Sequence, residues 1–142
     1  MVKGTTPLKK TGVFIVEDHP IFRDGLSQLI NTEDDLEVCG HAESVHEALS
    51  QLSQDRPDIM IVDIMLKDSS GFDLIGRVNK KYRNIPVLVL SMYDDPLFVE
   101  RILKAGARGY VAKRETTDRV IEAIRHVLKG GTYLSGSLIE NV

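Results

Sequence analysis

What most constrains this chain is a rhythm. Short runs of apolar, often β-branched residues alternate with longer stretches whose apolar positions recur every three or four residues. The runs are Val13–Val16, Leu36–Gly40, Ile59–Val62, Val87–Leu90 and Gly109–Val111. Most are continuously apolar rather than alternating, as parallel strands covered on both faces are. Between them, helical spacing places Ile21, Leu26, Leu29 and Ile30 on a common side, then Val45, Ala48, Leu49 and Leu52. It returns at Leu74, Ile75 and Val78, at Phe98, Val99, Ile102 and Leu103, and at Val120, Ile121, Ile124, Val127 and Leu128. Pro57 and Pro86 precede strands, and Gly106 stands where a helix end favours a left-handed residue. Five strand–helix units predict an α/β fold, a (βα)5 doubly wound parallel sheet of five strands.

The rhythm also sets domain limits. Residues 1–11 are polar and aperiodic and read as a flexible lead-in, residues 12–129 carry the five units, and residues 130–142 begin a linker after Gly130-Gly131. A length of 142 residues suits one domain. With 18 Lys and Arg against 21 Asp and Glu, the chain lacks the basic surplus of a free-standing nucleic-acid binder. Its one cysteine forms no internal disulfide, and no Cys/His group has zinc-ligand spacing. No apolar run approaches the ~18 residues of a membrane span, so a cytoplasmic location without membrane contact is expected.

The chemistry gathers where the strands end. Strand one runs into Glu17-Asp18, strand three into Asp63, strand four into Ser91 and strand five into Ala112-Lys113. In a doubly wound sheet those C-terminal ends share one edge, the edge that binds ligands. Singly, Asp18 reads as a cap for the helix that Pro20 opens, and Lys113 as a solvated charge. Together, three crowded carboxylates repel one another and need compensation. They carry three negative charges against the one positive charge of Lys113, a deficit that a single divalent cation closes. Oxygen donors without Cys or His favour Mg²⁺. With the Ser91 hydroxyl and the Lys113 ammonium, such a site suits a phosphoryl group, and one carboxylate could serve as its nucleophile.

At this point the residues match a known family. Over about residues 12–129 the chain resembles the response-regulator receiver domain of two-component systems, and most closely the subfamily with a LuxR-type helix-turn-helix output domain. The likeness rests on Val16-Glu17-Asp18-His19-Pro20, on Val62-Asp63-Ile64-Met65-Leu66 with Gly71 beyond it, on Leu90-Ser91-Met92-Tyr93-Asp94-Asp95, and on Lys104-Ala105-Gly106-Ala107-Arg108-Gly109-Tyr110-Val111-Ala112-Lys113. Gly130-Gly131-Thr132-Tyr133-Leu134-Ser135 also resembles that subfamily's link to its DNA-binding domain. The resemblance implies the flavodoxin-like receiver fold. It also implies Asp63 as acceptor of a phosphoryl group from a histidine kinase, with Asp18, Glu17 (through water), Asp63 and the Met65 carbonyl holding Mg²⁺. Lys113 would pair with the acyl phosphate and Ser91 would bind a phosphoryl oxygen. Tyr110 would be the switch aromatic that turns inward once Ser91 has moved, while Met65 and Tyr93 occupy positions that tune dephosphorylation. Such a domain is a signalling switch that acts only on itself rather than an enzyme. A homodimer on phosphorylation, and DNA contact through a C-terminal domain absent here, are further expectations.

Two positions depart from the family pattern. Glu17 stands where Asp is commoner, and Lys67 where Pro is usual, which frees the loop's φ and adds a cation that could pair with Asp68, meet the phosphoryl group or stay solvated. The remaining candidates read blandly: Cys39 as a core thiol, His41, His46 and His126 as scattered surface groups, His19 as part of a helix-opening His-Pro, and Tyr82 as either core or surface. Three rival functions compete. An aspartate-nucleophile phosphatase places Asp-x-Asp after strand one, and a flavodoxin-like nucleotide binder places a Gly-rich loop there, where this chain has Glu17-Asp18-His19-Pro20. A phosphate-independent docking module is the remaining alternative, opposed by the intact Asp63, Ser91 and Lys113.

Overall fold

Each apolar run becomes a strand. The computed structural model of the protein describes residues 9–67, 70–93 and 95–135. Residues 1–8 of the expected lead-in, residues 136–142 of the expected linker and any pairing of Lys67 with Asp68 lie outside the described residues. Strands β1 (Thr11–Val16), β2 (Leu36–Ala42), β3 (Ile59–Asp63), β4 (Val87–Ser91) and β5 (Gly109–Ala112) alternate with helices α1 (Pro20–Asn31), α2 (Val45–Leu52), α3 (Gly71–Lys81), α4 (Pro96–Lys104) and α5 (Thr116–Leu128). A sixth strand, β6 (Tyr133–Leu134), follows α5, and the parallel sheet runs β2-β1-β3-β4-β5-β6.

The strand count therefore corrects the expected five to six. After α5, Gly130 adopts φ +93°, a region in which a residue with a Cβ is strained, and the backbone doubles back along β5. The pairing is Gly109 with Tyr133 and Tyr110 with Leu134. A two-residue strand carries no periodicity, which is why the pattern did not reveal it.

Alternate residues of the strands feed two cores. Val13, Ile15, Ile59, Ile61, Leu88, Leu90 and Val111 pack with Leu26 and Ile30 of α1 and with Val120, Ile124 and Val127 of α5. Phe14, Val16, Met60, Val62, Val87, Val89 and Tyr110 pack with α2, α3 and α4 on the opposite face. Helices on both faces are what the continuously apolar strands require.

Two apolar assignments change. Ile21 is 89% exposed, because at about 100° per residue it lies on the side of α1 opposite Ile30, while Phe22 in the same turn packs against the core. Cys39 is exposed rather than a core thiol. Register passes from Val13–Val38 to Phe14–Gly40, so Cys39 is the extra residue of a bulge on the edge strand. Tyr82 is buried, beneath the Arg56 guanidinium 5.1 Å from its ring centroid. Gly106 has φ +119°, as its place after α4 predicts.

Strand order positions the site. From β1 the backbone passes outward to β2 and then back to β3 on the other side of β1, so the direction of winding reverses between β1 and β3. The loops after those two strands diverge and leave a crevice at their C-terminal ends.

Candidate functional site

That crevice holds the acidic group. Strand β1 ends at Val16, so Glu17 and Asp18 leave it side by side, while Asp63 closes β3 next door. Carboxylate oxygens of Glu17, Asp18 and Asp63, with a ring nitrogen of His19, all lie within 4.8 Å of one another. Glu17 and Asp63 are 1% and 3% exposed. Burying charge this deeply is costly unless each carboxylate has partners.

The partners come from the strand ends and loops. Lys113, directly after β5, places Nζ 3.0 Å from Glu17 Oε1 and 3.2 Å from Asp63 Oδ2. Its ammonium lies 4.5 Å from the centroid of the Phe22 ring, which supports it from α1. Burial alone would push the Lys113 pKa down, but the two carboxylates outweigh it and hold the ammonium above its ordinary value. The Met65 amide donates to Asp63 Oδ1 at 3.1 Å. Asp63 nevertheless rises to about 6, chiefly because burial penalises its charge, with Glu17 adding repulsion and the Met65 amide and Lys113 opposing the shift.

Three contributors escaped the sequence. His19 Nδ1 lies 2.9 Å from Glu17 Oε2 and 3.2 Å from Asp18 Oδ1, so the residue that precedes α1 also borders the acidic group. The Lys67 amide donates to Asp18 Oδ2 at 2.6 Å. The proline usual at this position has no N–H to give, so the departure adds a hydrogen bond that the loop's sequence does not announce. Phe22 beneath Lys113 is the third. Backbone donors leave no side-chain signature, and an aromatic in an amphipathic helix reads as ordinary core.

The other expected residues fall around this centre. Ser91 ends β4, is fully buried and accepts a hydrogen bond from the Tyr93 amide at 3.0 Å. Tyr110, on β5, is also fully buried. Met65 and Tyr93 are about half exposed at the rim. The Lys67 side chain is exposed. His41, His46 and His126 are exposed and stand apart from the acidic group.

Gly71 keeps the loop after β3 tight. A Cβ there would meet Ile64 Cα at 2.7 Å and the Asp63 carbonyl oxygen at 3.0 Å. Gly71→Ala is expected to cost about 1–3 kcal/mol of unfolding free energy, measured by urea denaturation. An unchanged midpoint would contradict this close approach.

The donor set fits a hard divalent cation. Among the described residues, three carboxylates share one crevice with the Lys113 ammonium, and Asp18 Oδ1 is buried without a well-formed hydrogen bond. Oxygen donors of this kind suit Mg²⁺ better than softer ions.

Comparison with known proteins decides the family. Residues 13–125 match the family model described as the response regulator receiver domain. The chain belongs to the response-regulator receiver family. The receiver is 39% identical to the transcriptional regulatory protein UhpA of Salmonella typhimurium, over 87% of this chain and 61% of that protein. It is 32% identical to the transcriptional regulatory protein DegU of Brevibacillus brevis, over 94% of this chain and 56% of the relative. It thus spans little more than half the length of these curated relatives. Among solved structures, a LuxR-family two-component response regulator from Aurantimonas sp. SI85-9A1 superposes with TM-score 0.88 at 26% identity, covering 93% of the receiver and 94% of that structure. Among the described residues, no helix of the receiver is long and apolar enough to cross a membrane.

Proposed function

We propose that this receiver takes a phosphoryl group from a histidine kinase onto Asp63 and thereby switches the output of a transcription regulator. The observation that carries the reading is the setting of Asp63: buried, bonded to Lys113, and packed against two further carboxylates at the crevice where the winding reverses. A structural carboxylate would not be placed beside two others.

Glu17, Asp18, Asp63 and the Met65 carbonyl would hold Mg²⁺, which supplies positive charge that offsets their repulsion and that of an incoming phosphoryl group. The receiver's own residues do the rest. An Asp63 carboxylate oxygen attacks phosphorus, forming an O–P bond as the N–P bond to the kinase histidine breaks. Lys113, already held by Asp63 and Glu17, neutralises charge on the transferred group. Ser91, at the neighbouring strand end, offers its hydroxyl proton to a phosphoryl oxygen, and Tyr110 responds on the adjoining strand. Phosphoryl contacts absent from the unmodified domain favour one arrangement of these loops, which is the switch. The domain acts on itself and turns over no external substrate.

That the chain spans little more than half of relatives named as transcriptional regulatory proteins supports an output carried on a further domain. DNA binding by that domain, a cytoplasmic location and dimerisation following phosphorylation complete the proposal. The test is intact mass after incubation with Mg²⁺ and acetyl phosphate. One added phosphoryl group is expected, absent when Mg²⁺ is chelated and absent in Asp63→Asn. Failure to gain mass, together with failure to bind beryllofluoride, would return the domain to a phosphate-independent docking role.

A further inference from the structure

The segment after α5 does more than leave the domain. Tyr133 pairs with Gly109 and Leu134 with Tyr110, and the Tyr133 amide donates to the Arg108 carbonyl at 3.1 Å. The Tyr133 hydroxyl donates to Glu122 Oε2 of α5 at 2.7 Å, and its ring meets His126 edge-on at 5.8 Å. Leu134 packs against the core that contains Tyr110. These contacts fix the segment at two points, on α5 and on the sheet.

Ser135 then falls beside the lysine end of β5. It is fully buried, which is unusual for a serine beyond the last helix of a domain. Its amide donates to the Tyr110 carbonyl at 3.0 Å. Its hydroxyl oxygen accepts from the Ala112 amide at 3.4 Å, a long bond but a buried one. In a continuing parallel ladder that amide would pair with a backbone carbonyl of β6. The serine side chain takes the carbonyl's place, ending β6 while giving the buried Ala112 amide an acceptor. Across the sheet Ala112 lies opposite Ser91, and Lys113 is the next residue in sequence. One row therefore runs from Ser91 through Ala112 to Ser135, with the site lysine attached to its middle.

We infer that Ser135 is a positioning residue for the phosphoryl site, holding the end of β5 so that Lys113 meets Asp63 and Glu17. This rests on the phosphoryl-accepting reading above. Reciprocity follows: if Ser135 affects how the site grips a phosphoryl group, occupation of the site alters how firmly Tyr133–Ser135 hold β5. The segment thereby reports the state of the site to the residues that follow it.

The test measures Mg²⁺-dependent beryllofluoride binding to the 142-residue protein by calorimetry, together with amide exchange of residues 109–112 and 133–135. Ser135→Ala removes the hydroxyl, Ser135→Pro removes the amide as well, and Ser53→Ala is a distant surface control. Weakening of about fivefold or more is expected for Ser135→Pro, less for Ser135→Ala and none for Ser53→Ala, at temperatures where each variant is folded by circular dichroism. In the parent protein, beryllofluoride is expected to slow exchange at both segments. A serine that merely stabilised the fold would lower the melting temperature and leave affinity and ligand-dependent exchange unchanged, which would overturn the inference alone. Should Ser135→Pro not fold, Ser135→Ala and the parent's exchange response decide the matter by the same criteria. A parent protein that binds no beryllofluoride would instead remove the phosphoryl-site reading itself.

Discussion

Asp18→Ala is expected to reduce the rate of Mg²⁺-dependent phosphorylation by acetyl phosphate about a hundredfold or more. The carboxylate is 8% exposed, and one of its oxygens faces the acidic group without a well-formed hydrogen bond. On the proposed function, losing it removes a cation ligand and leaves Asp63 with Lys113 as its nearby positive charge. The fold is expected to survive, because the change also removes one of three mutually repelling charges. Initial rates of mass gain over a Mg²⁺ titration check this, with circular dichroism as the folding control. A variant that saturates with Mg²⁺ at parental concentrations would contradict the ligand assignment.

The second large effect concerns stability, and its direction is contrary to what loss of a buried ion pair suggests. In the folded protein Asp63 has a pKa of about 6, against an ordinary value of 3.8. A raised folded-state pKa means that the fold prefers the protonated acid. The associated stability is fully present below about pH 4 and is lost as pH rises to about 6, above which the deficit is constant. The shift corresponds to about 2–3 kcal/mol. In chelator, Asp63→Asn is therefore expected to be more stable than the parent by about that amount at pH 7 and above, and nearly equal to it at pH 4. Glu17, Asp18, His19 and Lys113 border the same crevice and are present in both proteins, so the difference between the two isolates Asp63. Adding Mg²⁺ is expected to narrow the gap by stabilising the parent. Paired urea titrations at several pH values read it directly; an asparagine variant less stable than the parent at pH 8 in chelator would show that Lys113 outweighs burial and Glu17.

The chemistry of the site was legible because it is carried by side chains at strand ends. Once the apolar runs are placed, parallel right-handed winding leaves Glu17-Asp18, Asp63, Ser91 and Lys113 along one edge. Their convergence follows from topology rather than from any one residue. The supporting groups were less visible for a different reason. Lys67 and Met65 act through backbone amides, and an amide is the same whatever side chain it bears; at Lys67 the sequence pointed to the freed φ and the added side-chain cation, not to the backbone donor.

Elsewhere the missing signal was one of register. Cys39 sits in an apolar run, and a single bulged residue turns it to solvent without altering the composition that suggested burial. Ile21 is off the period: at about 100° per residue it stands opposite Ile30 on α1, and its neighbour Phe22 takes the core-facing place in that turn. β6 is too short to have a period, and Ser135 reads as a linker serine until the backbone is seen to return along β5. These are the places where backbone geometry decides what the pattern of side chains leaves open.

The most direct test is to locate the phosphoryl bond chemically. Borohydride reduces an aspartyl phosphate to homoserine, so reaction after incubation with Mg²⁺ and acetyl phosphate, followed by peptide mass mapping, marks the acceptor. Homoserine at position 63 alone is the predicted result, with none when Mg²⁺ is withheld. Reduction at Glu17 or Asp18 instead, or equal reduction of Asp63 without Mg²⁺, would contradict it.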